Sequence, residues 1–225
     1  MGADIHGTVT VQRKLTPRNV TPAAGLYQRG AAAVLQPDSN ENVLDYERSH
    51  VVVYLEGGQT AATPLPPAPA VMEQQNRRFS PDLVLVPAGS SVSFPNFDPI
   101  FHNVFSLSKP KSFDLGNYSK GQTKSVTFPK PGIVFVYCHL HPNMTGTIVV
   151  TPNSWNTRVD ASGQFVLPDV PPGKYVVTAW HKTGGTFHKT IEVTTGVTPE
   201  INFFVPLPEA DSGDASAHAD HHAGR

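Results

Sequence analysis

The chain has 225 residues and a formal net charge of −1, and 39% of its residues are hydrophobic against 16% charged. That is room for one large or two small domains with a modestly charged surface, and it leaves no basic stripe for nucleic acid. No apolar run reaches the roughly 18 residues that a membrane-spanning helix needs.

Twenty-two prolines and eighteen glycines, set among many Val and Thr residues, favour short strands and turns over helices. In chain order, Ile5-His6-Gly7-Thr8-Val9-Thr10-Val11 reads as a strand. Residues 14–42 carry little regular pattern, and Ala31-Ala32-Ala33-Val34-Leu35 predicts no more than a helical turn. His50-Val51-Val52-Val53-Tyr54-Leu55-Glu56-Gly57 is a second strand. Residues 61–70 (AATPLPPAPA) are proline-rich and predict an extended linker. Phe101-His102-Asn103-Val104-Phe105 is apolar around its histidine and predicts a further strand, with residues 113–118 expected as a surface loop behind it. Residues 133–137 and 145–151 are β-branched and aromatic and read as two more strands. From 160 to 177, turn signals (D-x-x-G, then P-P-G) alternate with strands, which 178–181, 187–193 and 200–205 extend. The tail, 209–225, is polar and small and predicts disorder.

Chemistry concentrates in Tyr137-Cys138-His139-Leu140-His141-Pro142-Asn143-Met144, which holds the chain's single cysteine. It joins a thiolate, an imidazole and a thioether at C-x-x-H-x-x-M spacing, in a short loop between two strands. A thiolate, imidazoles and a weak axial thioether are the ligands of a one-electron copper site. The second imidazole is offered by His102. Taken singly, each piece has a plainer meaning: a lone Cys is more often a small hydrophobe, a nearby Met core, a lone His structural. Four residues of the right types, at two spacings and in strand context, outweigh those readings together.

This constellation resembles the cupredoxin (blue-copper) family, in its amicyanin- and plastocyanin-like branch, over roughly residues 72–152. The text Phe79-Ser80-Pro81, Val86-Pro87-Ala88-Gly89, Phe94-Pro95-Asn96 and Asp98 adds to the likeness. The resemblance implies a Greek-key β-sandwich binding one type 1 copper ion. His102, His141, Cys138 and Met144 would be the ligands, and Asn103 would brace the cysteine loop. It implies electron carriage to a redox partner such as a c-type cytochrome or a dehydrogenase. His141 would lie nearest the surface, inside an apolar collar of Pro142, Asn143 and Pro95 or Pro99. It also implies a periplasmic or extracellular place. Met1-Gly2-Ala3-Asp4 shows no signal peptide, so the expectation is a mature chain with a start methionine added, or a truncated gene model.

Residues 153–208 resemble a second fold, the carboxypeptidase regulatory-like (transthyretin-like) β-sandwich. Four strands there are too few for a stable sandwich, and residues 1–60 resemble its opening strands. The two resemblances together imply an all-β fold class, with a cupredoxin-like sandwich at 71–152 inserted into, or packed against, a small sandwich made from both ends. In the alternative, Val51 to Leu55 is the cupredoxin's own first strand.

Other histidines carry less. His139 departs from the common family pattern; adjacent residues on extended chain point opposite ways, so it is expected to face solvent. His218, His221 and His222 in the tail have at least incidental metal affinity. His181 and His188 flank Gly184-Gly185 and are taken as structural or exposed, and His6 and His50 support no functional claim. The sequence lacks G-x-S-x-G, H-E-x-x-H and a phosphate-binding glycine loop, so the expectation is a non-enzyme. Copper storage or delivery, or a structural or adhesive sandwich with a vestigial metal site, are the competing functions.

Overall fold

The computed structural model describes residues 2–13, 15, 43–58, 66, 68–194 and 200–205. The expected helical turn near Ala31, most of the 61–70 linker and the 209–225 tail with its three histidines lie outside the described residues. Within them the chain is almost wholly β. It opens with strand β1 (Ala3–Val11), whose alternate residues are buried. The short helix α1 (Val43–Ser49) leads into β2 (Val51–Gly57). The strands β3 (Ala70–Val71), β4 (Glu73–Gln75), β5 (Arg78–Ser80), β6 (Leu83–Pro87) and β7 (Ser91–Pro95) follow. Then come β8 (His102–Ser108), β9 (Lys111–Tyr118), β10 (Thr123–Thr127), β11 (Gly132–Cys138) and β12 (His141–Thr151). The chain closes with β13 (Asn156–Arg158), β14 (Gln164–Val170), β15 (Gly173–His181), β16 (Gly185–Val193) and β17 (Glu200–Val205).

These strands make four principal sheets, in the orders β14-β1-β17, β13-β2-β15-β16, β6-β12-β11-β8-β9 and β10-β7-β3, with β4 and β5 paired as a small hairpin. The first strand lies antiparallel to β14 and parallel to β17, and β2 lies between β13 and β15. Both N-terminal strands thus pair with C-terminal ones, and Val51 to Leu55 does not serve as the first strand of the 70–151 segment.

Three cores separate the four sheets. Ile5, Val53, Leu55, Leu167, Val177 and Phe203 fill the first, between the two sheets of the end-built sandwich. Phe94, Val104, Phe128, Val134, Cys138, Met144 and Ile148 fill a second, within the 70–151 sandwich. Val52, Leu83, Val149 and Trp180 form the third, which joins the two sandwiches. Strands β2 and β12 serve two cores each: Val51, Val53 and Leu55 face one way and Val52 the other, as Ile148 and Val150 oppose Val149. Burial on both faces is why those stretches read as unbroken apolar runs rather than alternations.

One expectation is corrected: residues 113–118 form most of β9 rather than a surface loop. They pair with β8 in the register Phe113↔Ser106 and Tyr118↔His102. Phe113 and Leu115 lean on the core, and Tyr118 is only 1% exposed. The Asp and Gly that suggested a loop sit at a bulge between Asn103 and Phe105 on the partner strand.

Candidate metal centre

Strand pairing assembles the site. Sheet order places β8 beside β11 and β11 beside β12, so the first residue of β8, the last of β11 and the first of β12 meet at one end. These are His102, Cys138 and His141. The turn is tight: Cys138 stands opposite His141 across His139 and Leu140, the pairing then slips so that Tyr137 meets Thr145, and Pro142 to Met144 lie on β12 without a partner in the register.

The Cys138 sulfur lies 3.9 Å from His102 Nδ1 and 3.6 Å from His141 Nδ1, and the two Nδ1 atoms are 3.1 Å apart. Among the described residues this is the one group of three or more His, Cys, Asp or Glu side chains so gathered. An ion bound at about 2.0–2.3 Å by two nitrogens and a sulfur, with angles between donors of about 100–125°, separates them by about 3.1–3.9 Å. The donor set fits a single soft ion. Met144, 1% exposed, shares the buried core with Cys138.

The surroundings hold these groups in place. Asn103 donates its backbone N–H to the cysteine sulfur at 3.4 Å. Its side chain accepts from the His139 N–H at 3.4 Å and donates to Asp114 Oδ1 at 2.6 Å. Asp114 lies below the usual carboxylate range because the Gly116 N–H and the Asn103 amide both donate to it. His102 is fully buried, and its Nε2 lies 2.7 Å from Asp98 Oδ2. Burial alone would raise the Asp98 carboxyl. The Arg77 and Asn76 N–H groups and the His102 ring outweigh that and lower it. His141, part exposed, is lowered by burial first and then by the neighbouring His102 and Arg77 charges.

The remaining histidines go elsewhere. His139 stacks on Phe105 with ring centroids 3.7 Å apart, 3.4 Å from an Asp114 oxygen, its side chain 54% exposed. His181 is buried against Glu47 at 3.1 Å, whereas His188 faces the Thr178 hydroxyl at 2.9 Å. His50 reaches Asp82 at 3.0 Å. Sequence reasoning missed the bond from Asp98 to His102 and the apolar residues exposed beside the site. Those are Phe97, Ile100, Phe101 and Leu140, from 36% to 59% exposed. The signal for them was the apolar text on either side of His102 and Leu140 within the cysteine turn.

Comparison with known proteins returns two kinds of likeness. The family described as polysaccharide lyase family 4, domain II, matches residues 147–201. Among solved structures, a copper-containing nitrite reductase (NirK) from Thermus scotoductus SA-01 is 26% identical with a TM-score of 0.36 over 42% of this chain. This chain spans only 25% of that enzyme's length. Amicyanin from Paracoccus versutus is 25% identical with a TM-score of 0.35, over 38% of this chain and 84% of its own. A purple cupredoxin from Nitrosopumilus maritimus is 24% identical with a TM-score of 0.34, over 36% and 99%. No protein with a curated description matches the chain.

Proposed function

We propose that the protein is a type 1 copper protein that carries single electrons between redox partners, and that it is not an enzyme. The observation that carries this reading is the convergence of one cysteine sulfur and two imidazole Nδ1 atoms, all within 4.8 Å of one another, at one end of a sandwich. Zinc also takes thiolate and imidazole ligands. The buried Met144 thioether, three residues beyond His141, favours copper. A copper ion held there would supply a one-electron couple.

The chain's own residues then have separable tasks. Cys138 and His102, at 4% and 0% exposed, would hold the ion away from water, with Met144 as the weak fourth ligand. The Asn103 N–H fixes the sulfur. His141 would lead outward, among the exposed Phe97, Ile100, Phe101 and Leu140. That apolar surround suits brief contact with another redox protein, such as a c-type cytochrome or a dehydrogenase, in the periplasm or outside the cell. No helix among the described residues is long and apolar enough to cross a membrane.

Electron carriage and copper storage differ in how firmly the metal is held. Loaded protein should pass through repeated one-electron reduction and reoxidation without losing copper to a competing chelator. Rapid release of Cu(I) on reduction would instead favour storage or delivery.

A further inference from the structure

The histidine most deeply buried in the site is held by a segment far from it in sequence. Asp98 is only 7% exposed, and two backbone N–H groups and a ring nitrogen of His102 converge on its carboxylate. Asn76 N–H reaches Oδ1 at 2.7 Å, Arg77 N–H reaches Oδ2 at 2.8 Å, and His102 Nε2 lies 2.7 Å from Oδ2. The loop that carries Asp98 is fixed independently. Asn96 Oδ1 accepts the Asp98 N–H at 2.9 Å, while Asn96 Nδ2 donates to the carbonyls of Ile100 and Tyr118. Phe97 N–H donates to the Gln74 carbonyl at 2.9 Å, tying that loop to β4.

Asn76 and Arg77 are the whole turn of the β4–β5 hairpin, since Gln75 pairs with Arg78. Their φ angles are 55° and 56°, so both occupy the left-handed region. A two-residue hairpin of this kind requires it, but ordinarily takes Asn-Gly or Asp-Gly. An arginine there is uncommon, and an outlier of this sort points to a role for the conformation it holds. Here the conformation aims two successive N–H groups at one carboxylate.

We propose that Asp98, held by the Asn76–Arg77 turn, is a positioning residue that commits the Nε2–H of His102 and so presents Nδ1 to a metal. The proposal rests on the copper reading. A ring carrying one proton keeps it on Nε2 while the carboxylate accepts from that nitrogen. The lone pair is then on Nδ1, the atom nearest Cys138 Sγ and His141 Nδ1. A carboxylate behind a ligating imidazole also makes it a stronger donor, which favours the oxidised ion.

Long-range proton–nitrogen spectra of the metal-free protein near neutral pH read the His102 tautomer directly. The expected result is the Nε2–H form in the wild type, and a mixture or the Nδ1–H form in Asp98→Ala. Cu(II) affinity should fall about 10–100-fold in Asp98→Ala. The isosteric Asp98→Asn keeps an acceptor but loses the charge, so its reduction potential should rise. A tenfold loss of Cu(II) over Cu(I) preference corresponds to about 59 mV. Arg77→Gly, which keeps the N–H and tolerates the left-handed backbone, should leave His102 unchanged. Arg77→Pro, which has neither property, should loosen it as Asp98→Ala does. Asp98→Asn keeps the test open if the alanine variant fails to fold. An Nδ1–H His102 in the wild type, or a tautomer and potential unmoved by both Asp98 variants, overturns the proposal. An unmoved His102 in Arg77→Pro removes the turn's part in it. A wild type without a copper–thiolate band sinks the copper reading instead, and the tautomer measurement still stands.

Discussion

Of the two histidines that bracket Leu140, only His141 turns its ring to the cysteine sulfur, at 3.6 Å. His139 lies flat on Phe105. Replacing His139 by Ala should therefore leave the copper absorption band in place, whereas His141→Ala should remove or strongly shift it. Titration of both metal-free variants with Cu(II) checks this, and loss of the band in His139→Ala would contradict the geometry. A second prediction concerns Gly146, where an added Cβ would stand 3.0 Å from both Met72 Sδ and Val136 Cγ2. Gly146→Val should overpack the core beside Met144 and cost about 1–3 kcal/mol in denaturant unfolding. At this scale the meeting of Cys138 and His141 with His102 was legible, because residue type and spacing coincide there. The sequence picked out Asp98 only as part of a likeness and was silent on its bond to His102, which depends on an arginine in left-handed backbone that no residue pattern announces.

Strand β1 shows how much an element depends on close approach. Gly7 lies where β1 runs parallel to β17, paired with Ile201, and a Cβ there would meet the Ile201 carbonyl oxygen at 2.2 Å and the Phe165 ring at 2.4 Å. Backbone cannot give way as a flexible side chain can. Gly7→Ala should lower the unfolding free energy by at least the roughly 1–3 kcal/mol of an overpacked site, read by thermal or urea unfolding. Most strands were visible from alternation or β-branched runs. The strand β9 was not, because its inward residues before Tyr118 are only part buried and Asp114 and Gly116 carry turn signals. That Tyr118 stands opposite His102 is a fact of register. Helix α1 also went unread: seven residues with one fully buried side chain, Glu47, leave no helical stripe.

Over the whole molecule, the sandwiches meet through Val52 and Trp180 on one side and Leu83 and Val149 on the other. Trp180 is 7% exposed, so Trp180→Ala should cost about 3–5 kcal/mol and split a shared unfolding transition into two. A single unchanged transition in calorimetry would argue that the contact does not couple them. A polar contact crosses the same boundary, where His50 meets Asp82 at 3.0 Å and Tyr46 Oη lies 3.4 Å from the other carboxylate oxygen. Burial pulls His50 down, but the Asp82 carboxylate and the Tyr46 carbonyl raise it overall from 6.5. Burial pushes Asp82 up, but His50 lowers it overall from 3.8. The contribution of His50 is complete below 6.5 and fades as pH rises through its folded value. The contribution of Asp82 is complete above 3.8 and fades as pH falls through its folded value. His50→Gln should therefore lower the melting temperature most between those limits and least above them, and a uniform loss at every pH would refute the assignment. The all-β architecture was readable from the strand and turn texts along the chain. The contact between the sandwiches was not, because Val52, Val149 and Trp180 look like ordinary core in one dimension.

The most direct test of the copper assignment is the visible and electron paramagnetic resonance spectrum of metal-free protein titrated with Cu(II), beside Cys138→Ser. An intense thiolate-to-copper band that saturates at one ion per chain and vanishes in Cys138→Ser is the predicted result. A colourless protein, or one that takes up copper equally well without Cys138, would contradict it.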